Sequence, residues 1–207
     1  MAREIASVLG VKSGGPKNSG FLGSEDYLVT WALGHLVNIA EPEVQNEEWK
    51  GRWELRQLPM IPRRFTLSVL PERKRQFDVV QGLLNREDVD EVINATDAGR
   101  EGELIFRRIY VQAGCQKPIK RLWASDMTEE GLKKALANLM TGEDKRNLGL
   151  AAFARAEADW LIGMNFSRLF TLKAGTLVTV GRVQTPVLKL LAERWAEITN
   201  FKVSNYW

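Results

Sequence analysis

The stretch that decides the fold is DEVINATDAGREGELIFRRIYVQAG, residues 90–114. Its opening residues have the apolar, β-branched composition of a strand buried in a parallel sheet. From Gly99 onwards, apolar residues recur at helical spacing, which predicts a helix that ends near Gly114. Four charged residues crowd the point where the strand gives way to the helix: Asp97, Arg100, Glu101 and Glu103.

The flanking segments continue this alternation of strands and helices. They are RFTLSVL (64–70) as a strand, PERKRQFDVVQGLLNR (71–86) as a helix, KRLWAS (120–125) as a strand and DMTEEGLKKALANLM (126–140) as an amphipathic helix. Asp126 or Thr128 is available as the N-cap of the last helix. The strand–helix–strand–helix order from 90 to 140 predicts an α/β fold with a Rossmann-like parallel sheet and right-handed crossovers.

The N-terminal third is less regular. AREIASVLG (2–10) predicts a short helix that ends at Gly10, and YLVTWAL (27–33) predicts a strand. Between them, VKSGGPKNSGFLGSED (11–26) has the Gly, Ser and Pro content of a loop. Residues 41–63 carry three prolines and predict an irregular connection.

The pattern changes after the polar loop TGEDKRN (141–147). One long helical stretch follows at 148–172, with a break expected near Gly163. A second helix restarts within VQTPVLKLLAERWAEITNF (183–201), and KVSNYW (202–207) begins like a strand. We therefore expect an α/β domain over residues 1–147 and a mostly α-helical segment over 148–207.

Composition excludes several classes of protein. With 44% hydrophobic and 27% charged residues among 207, the chain has the balance of a soluble globular protein. No apolar run approaches the roughly 18 residues that span a bilayer. The single cysteine, Cys115, can form neither an internal disulfide nor a cysteine-based zinc site, so we expect a cytoplasmic protein. The net charge of +3 permits a polyanionic partner without requiring one.

Asp97 and Glu101 are the candidate metal ligands. Asp97 follows a predicted parallel strand, and ligands bind beyond the carboxyl ends of such strands. Glu101 lies one helical turn later, so both carboxylates can converge on one cation, whereas Glu103 is about 200° further round and faces elsewhere. Mg²⁺ typically takes one or two protein carboxylates and completes its shell with water and phosphate oxygens.

Neighbouring residues suit a phosphate. Gly99 and Gly102 would let it approach the backbone at a helix N-terminus, and Arg100 could neutralise one of its oxygens. A simpler interpretation is that Glu101 and Glu103 only complement the helix dipole in the first turn. Spacing alone leaves these two interpretations about equal.

A motif resemblance favours the metal site. TDAGREGE (96–103) resembles the Toprim signature of type IA DNA topoisomerases, in which a strand-end acid is followed two residues later by a second acid and then by R-E-G-E. Gly99 occupies the second acid position here, as is familiar in the topoisomerase III-like branch, so the metal site has one carboxylate fewer than the family pattern. Other segments resemble the family in the same order: VTWALGHLV (29–37), WELRQLPMIP (53–62), KPIKRLWAS (117–125), ARAEADWLIGMNFSRLF (154–170) and GRVQTPVLKLLAERWAEI (181–198).

The resemblance implies a domain organisation and a chemistry. Residues 1–147 would form a Toprim domain that lacks its first strand, and 148–207 the first part of the helical DNA-binding domain. Mg²⁺ would be held by Asp97 and Glu101, with Glu101 and Arg100 as catalytic residues. Single-stranded DNA would be the partner of an intact enzyme that is monomeric and uses no nucleotide cofactor. The absence of a G-x-x-x-x-G-K-[ST] motif agrees with independence from ATP.

Three aromatic and basic residues are candidate DNA contacts. Trp160 and Arg168 are eight residues apart, so they share a helix face on which they could stack a base and hold a phosphate. By residue pattern alone, a core tryptophan at a helix–helix contact is the commoner arrangement. The resemblance favours DNA contact for both residues and for Trp53, which composition alone would treat as a packing residue.

GRVQTP is the second candidate DNA-binding element. Its glycine and arginine precede a predicted helix whose first turn contains proline, and exposed amides there suit a phosphodiester backbone. An ordinary helix start explains Thr185 and Pro186 equally well, but gives no function to Arg182 or Gln184. The resemblance places all six residues on the DNA-binding path: Gly181, Arg182, Val183, Gln184, Thr185 and Pro186.

His35, the only histidine, lies in a GHL triplet that resembles a family segment close to the active site. A lone histidine is more often structural, so both a catalytic and a structural function stay open.

Two parts of the family's active site are expected to be absent. The family's nucleophile is a tyrosine in a Y-x-R-[ST] setting, and none of Tyr27, Tyr110 and Tyr206 has it. The family also opens with a strand ending in E-K-P-S, whereas Met1 here leads directly into the following helix. We therefore expect a fragment that is inactive by itself. Two alternatives are a Toprim nuclease or primase fragment, against which GRVQTP argues, and a non-catalytic remnant that binds single-stranded DNA.

Overall fold

The computed structural model describes residues 1–11 and 19–204. The helices are α1 (Ala2–Val8), α2 (Pro42–Gln45), α3 (Lys74–Leu84), α4 (Arg100–Gln112), α5 (Glu129–Ala137), α6 (Arg146–Ala174) and α7 (Gln184–Thr199). The strands are β1 (Phe21–Gly23), β2 (Leu28–Thr30), β3 (Val37–Ile39), β4 (Leu67–Val69), β5 (Val92–Asn94), β6 (Ile119–Arg121) and β7 (Met140–Thr141). Short 3₁₀ turns occupy Glu47–Trp49, Leu55–Gln57, Pro71–Arg73 and Glu143–Lys145.

The chain divides into two compact units. The first unit comprises residues 1–40 and 65–155, and the second comprises residues 41–64 and 156–207. The predicted boundary at 147/148 stays a prediction, and the division adds the irregular 41–64 segment to the helical C-terminal part.

The sheet that carries the candidate site has the order β5-β6-β7. β5 and β6 are parallel, with Asn94 opposite Arg121, and β7 pairs antiparallel with β6. The carboxyl ends of β5 and β6 therefore lie side by side at one edge, where ligands bind in parallel sheets. Two antiparallel pairs, β1 with β2 and β3 with β4, complete the strands of the first unit.

Two of the three apolar clusters of the first unit pack its helices against the strands near the site. One joins β3 to α3 and α4 through Leu36, Val37, Phe77, Val80, Leu84, Ile109, Ala113 and Cys115. The other packs α1 and α5 against the end of β6 through Ile5, Leu122 and Leu132. Because α4 is anchored along its buried face, its first turn is fixed against the end of β5.

The predicted α/β class with a long C-terminal helix is confirmed. Thr128 is the N-cap of α5, and its hydroxyl accepts a hydrogen bond from the amide of Gly131. α6 runs unbroken through Gly163, because one internal glycine costs a helix only about 1 kcal/mol. Among the described residues, no helix is long and apolar enough to cross a membrane.

Several local predictions were wrong. Residues 21–23, expected as loop, form β1, because pairing with β2 outweighs their local turn signals. The strand expected at 120–125 is β6, which ends at Arg121, and the short antiparallel β7 was not predicted. Residues 202–204 form no strand, while positions 12–18 of the predicted loop and 205–207 of the predicted strand lie outside the described residues.

Candidate active site

Asp97 lies in the short connection between β5 and α4. Strand pairing ends at Asn94, whose side-chain oxygen accepts hydrogen bonds from the amide and hydroxyl of Thr96 at 3.2 and 2.7 Å. The carbonyl of Asp97 accepts from the amide of Gly99 at 2.8 Å, which turns the chain into α4. The Asp97 side chain is exposed, and its carboxylate accepts no hydrogen bond from the described residues. Asp97 is therefore an exposed carboxylate at the carboxyl end of the sheet, with no hydrogen bond to the described residues.

The two glycines of this connection have different environments. A Cβ at Gly102 would lie 2.2 Å from the carbonyl oxygen of Asp97 and 2.9 Å from the hydroxyl of Thr96. The protein's own backbone occupies that space, which corrects the expectation that Gly102 leaves room for a phosphate. A Cβ at Gly99 would meet nothing within 4 Å. The position where the family pattern has its second acid is therefore open.

Glu101 contacts the only histidine of the chain. Its Oε1 lies 2.6 Å from His35 Nε2, and the two side chains are 62% and 30% exposed. A carboxylate is an acceptor, so Nε2 carries the proton in this contact. His35 Nδ1 is buried without a hydrogen-bond partner among the described residues. His35 thus orients one of the two candidate metal ligands, a link across 66 positions of sequence.

Glu103 is removed from this surface, as its helical position predicts. It is 1% exposed and accepts from Arg121 Nε at 2.6 Å, Arg107 Nε at 2.9 Å and Asn94 Nδ2 at 3.1 Å. Arg100 is exposed at the first residue of α4. The acidic residues of the motif therefore divide into an exposed pair, Asp97 and Glu101, and one buried member.

Asp97 and Glu101 could together bind a cation that takes only one or two ligands from the protein. Among the described residues, no group of three or more His, Cys, Asp or Glu is arranged to hold a metal ion. Mg²⁺ commonly takes only one or two carboxylates, with water and phosphate oxygens completing its octahedron. The donor set fits Mg²⁺ on these grounds and does not fit a metal that requires a closed protein cage.

Arg121 is the residue of the site that sequence reasoning missed. It ends β6, is 1% exposed, and donates to the backbone carbonyls that precede α4. Burial lowers the pKa of its guanidinium, and the adjacent Glu103 carboxylate opposes that change. The available signal was an arginine within a predicted strand, directly before the apolar residues Leu122 and Trp123, since a charge in such a position is buried only when it is paired.

In the second unit, α6 presents Trp160 and Arg168 to the 41–64 segment. The Trp160 ring packs against the buried Trp49 ring with centroids 6.4 Å apart. The Arg168 guanidinium lies 4.8 Å from the centroid of the Trp53 ring. Both residues therefore contact aromatic rings of the same segment: the Trp160 ring is tilted by 40° against Trp49, and Arg168 lies over Trp53.

Arg168 is 4% exposed, and its Nε and Nη1 have no hydrogen-bond partner among the described residues. Burial lowers the pKa of its guanidinium, while the carboxylates of Glu41 and Glu43 act in the opposite direction. It is therefore a buried cation with donors to spare.

The GRVQTP element is largely exposed at the start of α7. Arg182 Nε contacts both carboxylate oxygens of Asp159, at 2.9 and 3.1 Å, so the arginine has an internal partner. The Thr185 hydroxyl accepts from the amide of Gly181 at 3.0 Å. Val183, Gln184 and Pro186 are exposed. Contact of these residues with DNA stays a prediction, as it does for Trp53, Trp160 and Arg168.

Comparison with known protein families defines the class. The Toprim domain family matches residues 2–127, and the DNA topoisomerase family matches residues 143–207. The chain belongs to the Toprim family, and its resemblance to the type IA DNA topoisomerases is confirmed. The fold is similar to that of full-length topoisomerase I from Thermotoga maritima, with a TM-score of 0.65, 22% identity, and coverage of 97% of this chain and 29% of that one.

Individual relatives narrow the resemblance to the topoisomerase III-like branch. The chain is 46% identical over its full length to DNA topoisomerase 3 of Bacillus thuringiensis. It is 46% identical to that of Shouchella clausii and 44% identical to that of Bacillus licheniformis. In each case it spans 28% of the relative's length.

Proposed function

We propose that this chain supplies the Toprim and initial DNA-binding elements of a topoisomerase III-like type IA DNA topoisomerase. The reaction is Mg²⁺-dependent, ATP-independent breakage and rejoining of one DNA strand through a 5′-phosphotyrosine, which relaxes negatively supercoiled DNA. The observation that carries the proposal is that the Toprim match over residues 2–127 and the DNA topoisomerase match over residues 143–207 occur in this order in one chain. A Toprim nuclease or primase has no need of the second element. Because the substrate is cellular DNA, we place the function in the cytoplasm.

In the first unit, Asp97 and Glu101 would hold Mg²⁺, which when bound neutralises charge on the scissile phosphate. Asp97 offers an exposed carboxylate that accepts no hydrogen bond from the described residues, and His35 orients Glu101 through the 2.6 Å contact. Arg100, exposed in the first turn of α4, binds a phosphate oxygen near the positive end of the helix dipole. Gly99 leaves open space for the phosphate to approach.

In the second unit, aromatic and basic residues bind single-stranded DNA. Trp53 and Trp160 provide faces for base stacking, which contributes about 1–3 kcal/mol per base. Arg168 contributes the donors that have no partner among the described residues. A base that stacks on Trp53 would either replace the Arg168 guanidinium on the indole ring or bind the opposite face of that ring. Exposed groups of Gly181 to Pro186 bind the phosphodiester backbone.

None of the chain's own tyrosines is proposed as the nucleophile. The Tyr110 hydroxyl donates to the carbonyl of Lys117 at 2.7 Å, and burial raises its pKa, which makes attack on a phosphodiester harder. Tyr27 and Tyr206 also lack the Y-x-R-[ST] setting. We therefore expect the 207-residue chain to bind single-stranded DNA without relaxing plasmid.

A chimera tests the proposal. The chain would replace the aligned segment of Bacillus thuringiensis DNA topoisomerase 3, and relaxation of negatively supercoiled plasmid would be followed on gels with and without Mg²⁺ and ATP. We expect relaxation that requires Mg²⁺, is indifferent to ATP, and is abolished by Asp97→Ala. A folded but inactive chimera beside an active parent enzyme would contradict the enzymatic function. Oligonucleotide binding retained by that inactive chimera would instead favour a non-catalytic binding protein.

A further inference from the structure

Arg121 makes an unusually complete set of contacts with the connection that carries Asp97. Its Nη1 donates to the carbonyls of Asn94 at 3.0 Å, Thr96 at 2.7 Å and Leu122 at 2.6 Å. Its Nη2 donates to the carbonyl of Asp97 at 2.7 Å. One guanidinium therefore binds three carbonyls within the four residues that leave β5.

The remaining nitrogen of Arg121 contacts α4. Nε donates to Glu103 Oε1 at 2.6 Å, and Arg107 Nε donates to the other oxygen of this carboxylate at 2.9 Å. Arg107 also donates from Nη2 to the carbonyl of Gly142 at 2.9 Å. Through Arg121 and Glu103, the end of β6, the β5–α4 connection and the first turns of α4 form one hydrogen-bonded unit.

A buried charge pair is costly, and packed apolar residues of similar volume often stabilise a protein equally well. Stability alone therefore gives little reason for a buried arginine and glutamate here. An apolar pair could donate to none of these four backbone carbonyls, and a lysine ammonium lacks the rigid planar fork that reaches several acceptors. The contact set thus matches a requirement for a fixed backbone next to Asp97.

We propose that Arg121, held by Glu103, is a positioning residue that fixes the backbone of the Asp97 segment so that its carboxylate can bind a divalent cation. This inference rests on the proposed function. Neither residue touches the cation. Gly102 is part of the same arrangement, because its missing side chain lets α4 approach the Asp97 carbonyl that Arg121 holds.

The test measures Mn²⁺ binding to the 207-residue chain, following the free-ion paramagnetic resonance signal well below the melting temperature. Arg121→Lys keeps the charge but removes the fork, and Glu103→Gln keeps the shape but removes the carboxylate. Arg146→Lys is the matched control, since Arg146 is exposed and its side chain forms an ion pair at the surface with Glu143, at 3.5 Å. We expect Arg121→Lys to raise the Mn²⁺ Kd about 10- to 100-fold, Glu103→Gln to raise it less, and the control to leave it unchanged.

Amide hydrogen exchange supplies a readout that is independent of the metal. In Arg121→Lys we expect faster exchange at Leu122, whose amide donates to Asn94, and at Gly99, whose amide donates to Asp97. The amide of Leu132, in the first turn of α5, should keep its protection. A positioning function predicts this local loss, whereas a purely structural function predicts uniform loss with unchanged Mn²⁺ affinity.

The outcomes separate this inference from the proposed function. If the wild-type chain and Arg121→Lys bind Mn²⁺ equally, the positioning function is overturned while the metal site stands. If the wild-type chain does not bind Mn²⁺, the metal site of the proposed function is contradicted. Hydrogen exchange then tests separately whether Arg121 fixes the backbone of the Asp97 segment. Selective loss of protection at Gly99 and Leu122 then supports the backbone clamp, and exchange equal to that of Arg146→Lys overturns it. Should Arg121→Lys not fold, Glu103→Gln carries the same comparisons.

Discussion

Arg121 in the first unit and Arg168 in the second are both nearly inaccessible to solvent, yet their donors are used differently. All three guanidinium nitrogens of Arg121 donate hydrogen bonds. Arg168 lies against the Trp53 ring and leaves Nε and Nη1 without partners among the described residues. Each buried donor without a partner costs about 1–3 kcal/mol. An arginine whose nitrogens all donate hydrogen bonds within the chain stabilises the fold, whereas one with unused donors can still bind a ligand.

The largest expected effect comes from removing Arg121. Arg121→Met removes one donor from each of four backbone carbonyls and weakens the pairing of buried Glu103, so we expect the free energy of unfolding to fall by about 3 kcal/mol. Urea denaturation followed by circular dichroism measures the change. In Arg146→Met, which loses only an exposed pair, the change should stay under about 0.5 kcal/mol. If Arg121→Met and Arg146→Met lowered the free energy of unfolding equally, the structural function of Arg121 would be contradicted.

A second prediction concerns the close approach that accompanies the Arg121 contacts. Gly102→Ala places a Cβ where the Asp97 carbonyl lies 2.2 Å away, so the backbone must shift. We expect a loss of about 2 kcal/mol in the same denaturation measurement, within the range for overpacked sites. Gly99→Ala is the matched control, because its Cβ would enter open space, and its effect should stay within about 0.5 kcal/mol. Similar stability losses for Gly102→Ala and Gly99→Ala would show that α4 is not closely packed against the backbone of Asp97.

A third prediction addresses Arg168. Arg168→Met removes two buried donors that have no partner among the described residues, but it also removes the contact of the guanidinium with the Trp53 ring. Because these two effects oppose each other, the free energy of unfolding should change by less than about 1 kcal/mol. If Arg168 binds single-stranded DNA as proposed, the Kd for a fluorescent oligonucleotide should rise about tenfold in an anisotropy titration. Arg194→Met, at an exposed arginine of α7, controls for the lost charge.

Either of two results would contradict the proposed DNA-binding function of Arg168. A destabilisation as large as that of Arg121→Met would show that Arg168 is structural. An unchanged Kd would remove Arg168 from the DNA-binding surface.

The smallest expected effect involves a hydrogen-bonded carboxylate at the surface of the first unit. Hydrogen bonds from the amide and hydroxyl of Thr128 lower the pKa of Asp126 below its ordinary value of 3.8. Because the folded-state pKa is depressed, the stabilisation is present above the unfolded pKa and lost as pH falls through the folded one. The stability difference between the wild type and Asp126→Ala should therefore be constant above about pH 5 and shrink below about pH 4. Urea denaturation between pH 3 and 6 tests this, and a difference that grows on acidification would reverse the sign.

Local patterns predicted much of the site. Asp97 was expected at the end of a strand, Glu101 one helical turn later on the same face, and Glu103 facing elsewhere. The structure confirms that Glu103 faces elsewhere, because spacing within a helix follows from backbone geometry, whereas β5 ends at Asn94, three residues before Asp97. The spacing of Trp160 and Arg168 likewise predicted that they share a helix face.

Other features could not be read from spacing. The His35–Glu101 contact joins positions 66 residues apart, and Arg182 finds Asp159 across 23 residues. The contacts of Arg121 depend on the parallel register that sets it opposite Asn94. β1 and β7 were missed because strands of two or three residues gain their stability from pairing more than from local composition.

The sequence by itself determined the alternation of strands and helices, the candidate metal carboxylates and the resemblance to the type IA topoisomerases. These features are encoded in periodicity and in short contiguous motifs, which covalent geometry translates into local structure. Tertiary structure decided which charges were buried, which found partners and which kept donors free. Hydrogen bonds are short and directional, so the pairing of Arg121 and the unused donors of Arg168 depend on which distant segments packing brings within about 3 Å.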